Sequence, residues 1–134
     1  MSKILTEDYI RSNQDTVDWD YISSRHQKLS EDFIREFQDK VNWAWISTSQ
    51  KLSENFIREF QDNVNWRSIG SYQLLSESFI IEMGDRLSWR IISRRQKLSK
   101  DFILEFIDKL NIDHILDYQE LDPETKEYLL LING

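Results

Sequence analysis

An eleven-residue phrase recurs almost unchanged in the first half of the chain. Residues 29–39 read LSEDFIREFQD, and residues 52–62 read LSENFIREFQD, 23 positions later. With one inserted residue near His26, leucines at this spacing mark successive units, at Leu5, Leu29, Leu52, Leu75, Leu98 and Leu121. A period in the twenties is typical of stacked supersecondary units, each too small to bury its apolar face alone. The chain is therefore predicted to be a tandem repeat array.

Each repeat is predicted to contain two helices of unequal length. In the second repeat Ser30 is a good N-cap, and Phe33, Ile34, Phe37 and Val41 follow it at helical spacing. This pattern predicts one amphipathic helix that begins after the serine and extends to the valine.

A shorter helix follows within the same repeat. Asn42 is a second candidate N-cap, and the helix is predicted to run from Trp43 to about Gln50. Only one residue is left for the corner between the two helices.

The predicted fold is an all-α solenoid of five two-helix repeats plus a C-terminal capping half-repeat. It occupies a single repeat domain, residues 1–134, with units at about 5–28, 29–51, 52–74, 75–97 and 98–120 and a cap at 121–134. The cap begins at Asp122-Pro123-Glu124, a helix start with proline at the first helical position.

Equivalent positions of the repeats form columns of similar residues. The first helix is capped by Thr6, Ser30, Ser53, Ser76 and Ser99, and the second by Asp18, Asn42, Asn65, Ser88 and Asn111. The predicted core columns are Tyr9, Phe33, Phe56, Phe79 and Phe102, then Trp19, Trp43, Trp66, Trp89 and Ile112, then Ile22, Ile46, Ile69, Ile92 and Ile115. The tryptophan column has an alternative interpretation as a stacking surface for bases or sugars.

A glutamine recurs at the end of every second helix. The column is Gln27, Gln50, Gln73, Gln96 and Gln119. Backbone groups at helix ends lack intrahelical partners, so we expect these side chains to bond such groups in their own or the next repeat.

Composition narrows the functional classes. The chain has no cysteine, and therefore neither disulfides nor thiolate metal sites. With no apolar run long enough for a membrane span and no signal peptide, we expect a soluble protein in the cytoplasm of a host cell. The formal net charge of -7 argues against binding of free nucleic acid and permits mimicry of one.

Catalytic motifs are absent from the sequence. There is no glycine-rich phosphate loop and no pair of metal-binding histidines, and the best candidate cluster is Asp113, His114 and Asp117. Chance arrangements of this kind are common on solvated helix faces. We expect a non-enzyme with no catalytic residue, no cofactor and no metal.

The repeats disagree at four positions of the second helix, the first, second, fifth and sixth residues after the tryptophan column. We call these the variable positions. They are rich in Tyr, Trp and Arg, which dominate protein interfaces. The predicted partner-binding residues are Tyr21, Trp45, Arg67, Tyr72, Arg90, Arg94, Arg95 and Tyr118. The alternative is sequence drift on a solvated face.

The fourth repeat contains a local excess of positive charge. Six of the seventeen Lys and Arg residues lie between Arg86 and Lys100, and no acidic residue interrupts them. Such a basic segment in an acidic chain can orient a partner of mixed charge or grip a phosphate backbone locally. It can also balance acidic faces of the neighbouring repeats.

The phrase LSEDFIREFQDKVNWAWISTSQ, repeated head to tail, resembles short helical repeats of uncharacterised bacteriophage and giant-virus proteins. The resemblance covers almost the whole chain through the LSE start, the FI pair and the NW corner. It implies a viral or mobile-element origin and brings no catalytic residues.

Three functional hypotheses follow. The first is a non-catalytic module that binds a host or viral protein, for example to inhibit a host defence system. The second is an acidic nucleic-acid mimic that blocks a nucleic-acid-binding complex, as an anti-CRISPR protein does. The third is a structural protein that self-associates through its apolar C-terminal end, at residues 129–132.

Overall fold

The computed structural model describes residues 5–24 and 27–134, and these ranges contain helices and turns but no strand. Eleven helices follow one another along the described chain. They are α1 (Glu7–Ser12), α2 (Trp19–Ser23), α3 (Glu31–Glu36), α4 (Trp43–Ser49), α5 (Glu54–Glu59), α6 (Trp66–Tyr72), α7 (Glu77–Glu82), α8 (Trp89–Arg95), α9 (Lys100–Glu105), α10 (Ile112–Tyr118) and α11 (Pro123–Asn133).

The helix order confirms the predicted fold class. Helices α1 to α10 form five pairs, one pair for each repeat, and α11 follows as the C-terminal half-repeat. Second helices of successive repeats pack together, as α2 does with α4 and α8 with α10. This is the packing of an all-α solenoid of two-helix repeats.

The predicted extent of the first helix was wrong, and the second helix, predicted to be the shorter one, is longer by one residue. The predicted bounds of the second helix agree with α4 to within one residue. Helix α3 ends at Glu36, so the first helix has six residues and the second, α4, has seven. The backbone of Phe37 leaves helical values with φ -109° and ψ 31°. The N–H groups of Lys40 and Val41 then both bond the Phe37 carbonyl. A hydrogen-bonded turn therefore replaces the one-residue corner and redirects the chain into α4.

Both predicted capping columns are confirmed. Ser30 Oγ accepts a hydrogen bond from Phe33 N at 3.1 Å, and Asn42 Oδ1 accepts one from Trp45 N at 3.1 Å. The same bonds are made by the other cap residues, Thr6, Asp18, Ser53, Asn65, Ser76, Ser88, Ser99 and Asn111. These bonds satisfy N–H groups that a helix start otherwise leaves without partners.

The chain forms two compact units, Met1–Ile69 and Gly70–Gly134. Each has a core of phenylalanine and isoleucine side chains. In the first unit the fully buried residues include Phe33, Phe56 and Ile46, and in the second they include Phe79 and Ile92. The single domain spanning residues 1–134 stays a prediction.

The tryptophan column packs between repeats. Trp43 lies 6.2 Å from Phe56 and 5.1 Å from Phe60, measured between ring centroids, and both phenylalanines belong to the next repeat. Its indole N–H donates to the Gln38 carbonyl at 3.0 Å. Trp19 makes equivalent ring contacts and an equivalent indole hydrogen bond, and Trp89 makes equivalent ring contacts. The contacts show that these tryptophans pack against phenylalanines of the core, but every residue of the column is only half-buried, so the column borders the fully buried core.

Tyr9 departs from the predicted core. Its side chain is 51% exposed, whereas Phe33, its equivalent in the second repeat, is buried. Phe33 is covered by Trp19 of the preceding repeat, at 6.2 Å between ring centroids. Among the described residues, no tryptophan ring packs on Tyr9 in the same way.

The glutamine column joins neighbouring repeats. Buried Gln96 accepts a hydrogen bond from Leu75 N at 3.2 Å, at the start of its own repeat. Its amide donates to the carbonyls of Gly70 and Gln73 in the preceding repeat, each at 2.8 Å. Gln50 and Gln119 make the same set of bonds. This confirms that the column satisfies backbone groups at helix ends. Besides its own repeat, each of these glutamines bonds the preceding repeat, whereas the next repeat was expected.

A second connection between repeats uses the first residue of the first helix. Glu31 accepts hydrogen bonds from Ser53 N at 2.6 Å and Ser53 Oγ at 2.9 Å, so it holds the N-cap of the next repeat. The pairs Glu7–Ser30 and Glu77–Ser99 repeat this arrangement.

The last such connection replaces the glutamate and serine of the other repeats with a lysine and an aspartate. Lys100 occupies the glutamate position of the fifth repeat, and Asp122 occupies the cap position that follows. Their charged atoms lie 3.8 Å apart. A glutamate at position 100 would face the carboxylate of Asp122 instead of a serine and would be repelled. A lysine at this position is attracted by the same carboxylate.

The capping helix α11 begins with Pro123 after the N-cap Asp122, as predicted. Leu129 and Thr125 are buried on one side of the helix, whereas Leu130, Leu131 and Ile132 are exposed. No helix within residues 5–24 and 27–134 is long and apolar enough to cross a membrane.

Candidate partner-binding site

The second helix of each repeat separates framework residues from the variable positions. In α4, Ile46 is fully buried, and Ser47 Oγ donates to the Trp43 carbonyl at 2.7 Å and accepts from Asn65 N of the next repeat at 2.9 Å. Ser93 has the same roles in α8. The column residues make the contacts that recur from repeat to repeat, whereas the variable positions differ in residue type and in contacts.

The first unit contains three of the predicted binding residues. Trp45 is 45% exposed and stacks on no other ring within the described residues. Arg67 is exposed and forms no ion pair there. Tyr21 is only partly buried. Trp45 is therefore the exposed aromatic residue among the three.

The second unit presents an exposed aromatic on α6. Tyr72 is 61% exposed. Leu74, two residues later, is 88% exposed and was not predicted as a binding residue. The signal was present in the sequence, because Leu74 replaces the lysine found at Lys28, Lys51 and Lys97. An apolar side chain at a solvated position is informative when its equivalents are charged.

The remaining predicted residues lie on α8 and α10. Arg90, Arg94 and Arg95 are exposed, and Tyr118 is 60% exposed. No ion pair holds any of the three arginines within the described chain. The ring of Tyr118 meets His114 edge to face, with centroids 5.9 Å apart.

Three of these residues line one open cleft of about 490 Å³. They are Arg94 and Arg95 at the end of α8 and Tyr118 at the end of α10. Lys97, in the segment after α8, and Lys100, the first residue of α9, also line the cleft. The predicted site omitted both, although both belong to the basic segment. Arg90 and Tyr72 are not among the lining residues. Tyr21, Trp45 and Arg67 belong to the first unit.

The acid–histidine cluster on α10 makes structural contacts. His114 N is held by the Asn111 cap at 2.9 Å, and its ring Nδ1 lies 3.3 Å from the Arg90 carbonyl. Asp113 accepts a hydrogen bond from the Asn133 side chain at 2.9 Å. No group of three His, Asp or Glu side chains among the described residues is placed to hold a metal ion.

Two carboxylates have pKa values below their ordinary range. A hydrogen bond from Arg35, at 2.8 Å, lowers the pKa of Glu59 in the next repeat and raises that of the arginine. Bonds from the Thr125 backbone and side chain lower the pKa of Asp122, and Lys100 adds to the effect. Both shifts belong to connections between or within repeats, not to the cleft.

The fold and the exposed positions place the chain among all-α repeat proteins. Comparisons with protein-family models, with curated proteins and with solved structures give no match to this chain. The functional proposal therefore rests on its own residues.

Proposed function

We propose that this chain is a non-catalytic repeat module that binds a protein through the variable positions of its second helices. The observation that carries the proposal is the exposure of large aromatic side chains at positions that the framework leaves free. Trp45 and Tyr72 are the clearest cases.

The physical reason is the cost of leaving such side chains in water. An aromatic ring buries a large area on binding and loses little conformational freedom. Drift on a solvated face favours polar residues, such as Thr48 and Ser71 at other variable positions. Aromatic residues held outside a core that already contains Phe and Trp columns are typical of an interface.

The partner class is part of the proposal. A host protein in the cytoplasm is the favoured partner, and inhibition of a host defence system is the favoured role. The viral origin rests on the resemblance of the repeats alone. The acidic mimic of a nucleic acid is less favoured, because Arg90, Arg94 and Arg95 are exposed and form no ion pair among the described residues, and they interrupt the negative charge.

Affinity capture tests the proposal. The immobilised chain is incubated with host-cell lysate, with and without nuclease, and retained proteins are identified by mass spectrometry. We expect nuclease-resistant retention of a defined protein that is lost with Trp45→Ala/Tyr72→Ala. The matched control is Tyr9→Ala/Tyr128→Ala, which removes two exposed tyrosines outside the variable positions and should retain the protein.

Three outcomes would contradict the proposal. They are the absence of a specifically retained protein, retention that disappears with nuclease, and equal loss in the two double variants. Loss with nuclease would favour a nucleic-acid-linked role instead.

A further inference from the structure

The cleft at the ends of α8 and α10 concentrates unpaired positive charge in an acidic chain. Arg94, Arg95 and Lys97 line it, are exposed, and have no ion pair within the described residues. Elsewhere, Arg11 and Arg35 each bridge two carboxylates, with distances of 2.6 to 2.9 Å. Arg94, Arg95 and Lys97 are thus available to a ligand, whereas Lys100, which also lines the cleft, is paired with Asp122.

The fold does not require these cations. The residues equivalent to Arg94 and Arg95 in the second repeat are Thr48 and Ser49, and α4 has the same bounds relative to its repeat as α8. The local charge therefore comes from side chains that a repeat can lack and still fold.

The backbone beneath the cations is held in place. Gln96, between Arg95 and Lys97, is buried and bonded to three backbone groups of the second unit. Leu98 N is held by the Gln119 side chain at 3.1 Å. Binding then costs little backbone ordering, because the segment that carries the charges is fixed before a ligand arrives.

Carboxylates of the second unit affect the kind of anion that the cleft can hold. Glu120 lies in the lining of the cleft, and Asp113 and Asp117 are exposed on α10 outside the lining. A nucleic-acid strand that extends along α10 beyond the cleft brings regularly spaced phosphates towards these carboxylates, which repel it. A short segment with a few carboxylates can place them on the cations and end within the cleft.

The side chains suit carboxylates and an extended peptide. An arginine guanidinium binds a carboxylate through two parallel hydrogen bonds, and two arginines stand next to each other here. The exposed ring of Tyr118 offers an apolar wall beside them. A volume of about 490 Å³ is in the range of clefts that hold small ligands or a few peptide residues.

We propose that this cleft binds a short acidic segment of the protein partner, with Arg94, Arg95 and Lys97 holding carboxylates of that segment. The inference rests on the proposed protein-binding function and adds the chemistry of the partner. The cleft uses other residues than the aromatic contacts of Trp45 and Tyr72. The cleft proposal and the proposed function can therefore be contradicted separately.

Fluorescence anisotropy tests the inference with a fluorescein-labelled peptide in which glutamate alternates with glycine. The full chain should bind it, and binding should weaken as salt is raised because the charges are solvent-exposed. Arg94→Glu/Arg95→Glu should weaken binding about tenfold or more, since two attractions become repulsions. The matched control is Lys28→Glu/Lys51→Glu, which changes the net charge equally at exposed lysines outside the cleft and should bind as the wild type does.

Folding of both variants is checked by circular dichroism, and Arg94→Gln/Arg95→Gln provides a milder change. No binding of the acidic peptide, or equal weakening by the lysine control, would overturn the inference. Tighter binding of a single-stranded oligonucleotide of equal charge would overturn it in favour of a phosphate ligand. If the peptide fails while Trp45→Ala/Tyr72→Ala still abolishes protein capture, the cleft assignment is wrong and the proposed function stands.

Discussion

Removal of one buried glutamine amide is expected to lower the stability of the fold strongly. In Gln96→Leu the side chain keeps a similar size but loses its bonds to Leu75 N and to the carbonyls of Gly70 and Gln73. A buried N–H without a partner costs about 3 kcal/mol, and each carbonyl about 1 to 2 kcal/mol. The added apolar burial of leucine returns about 2 kcal/mol.

We therefore expect Gln96→Leu to lower the free energy of unfolding by about 3 to 5 kcal/mol. Urea denaturation followed by circular dichroism measures it. Gln119→Leu is the matched variant, because its side chain makes the same bonds but is only partly buried. Its loss should be smaller, since water can reach the released groups. A change below about 1 kcal/mol in Gln96→Leu, or a larger one in Gln119→Leu, would refute this reasoning.

Three further predictions concern the framework. Phe56→Ala should cost about 3 to 5 kcal/mol in the same assay, because the ring is buried against Trp43; an unchanged melt would remove it from the core. Lys100→Glu should lower the melting temperature by placing a carboxylate beside Asp122. Lys100→Glu/Asp122→Ser should restore it by recreating the Glu–Ser pair of the other repeats. Failure of the rescue would contradict the explanation of Lys100 by its ion pair with Asp122. The lowered pKa values of Glu59 and Asp122 give stability that is present above their ordinary values near pH 4 and lost as pH falls below them. The melting temperature should therefore fall on acidification, and Arg35→Met should reduce that fall; identical pH profiles would count against the pair.

The repeat period and the caps could be predicted because they depend on local sequence. Ser30 and Asn42 each bond an N–H three residues ahead, so the residue type and its spacing contain the needed information. That the glutamine column bonds backbone groups at helix ends was predictable for the same reason. Its partners in the preceding repeat depend on stacking and could be read only from the structure.

Other features depend on contacts between repeats. The early end of α3 at Glu36 follows from the turn at Phe37, and the apolar spacing continues unbroken past it. Tyr9 matched its column in residue type but lacks the covering tryptophan. The Glu31–Ser53 connection joins residues 22 positions apart, and the helix dipole alone already accounted for a glutamate at that place.

The candidate site was predicted in outline from disagreement among the repeats. Trp45, Tyr72 and Tyr118 are exposed, as their variable positions indicated. The basic segment already grouped Arg94, Arg95 and Lys97 in sequence. That Tyr118 lines the same cleft was not predictable, because it depends on how the segments after α8 and α10 approach each other.

The separation of framework from variable positions is tested most directly on a single helix. Trp43 and Trp45 lie two residues apart in α4. The first is half-buried against Phe56 and Phe60, and the second is exposed to solvent. Urea unfolding of the two alanine variants compares the same chemical change at both positions. We expect Trp43→Ala to lose about 3 to 5 kcal/mol and Trp45→Ala less than about 1 kcal/mol. Equal losses, or a larger one for Trp45→Ala, would contradict the division on which the proposed function rests.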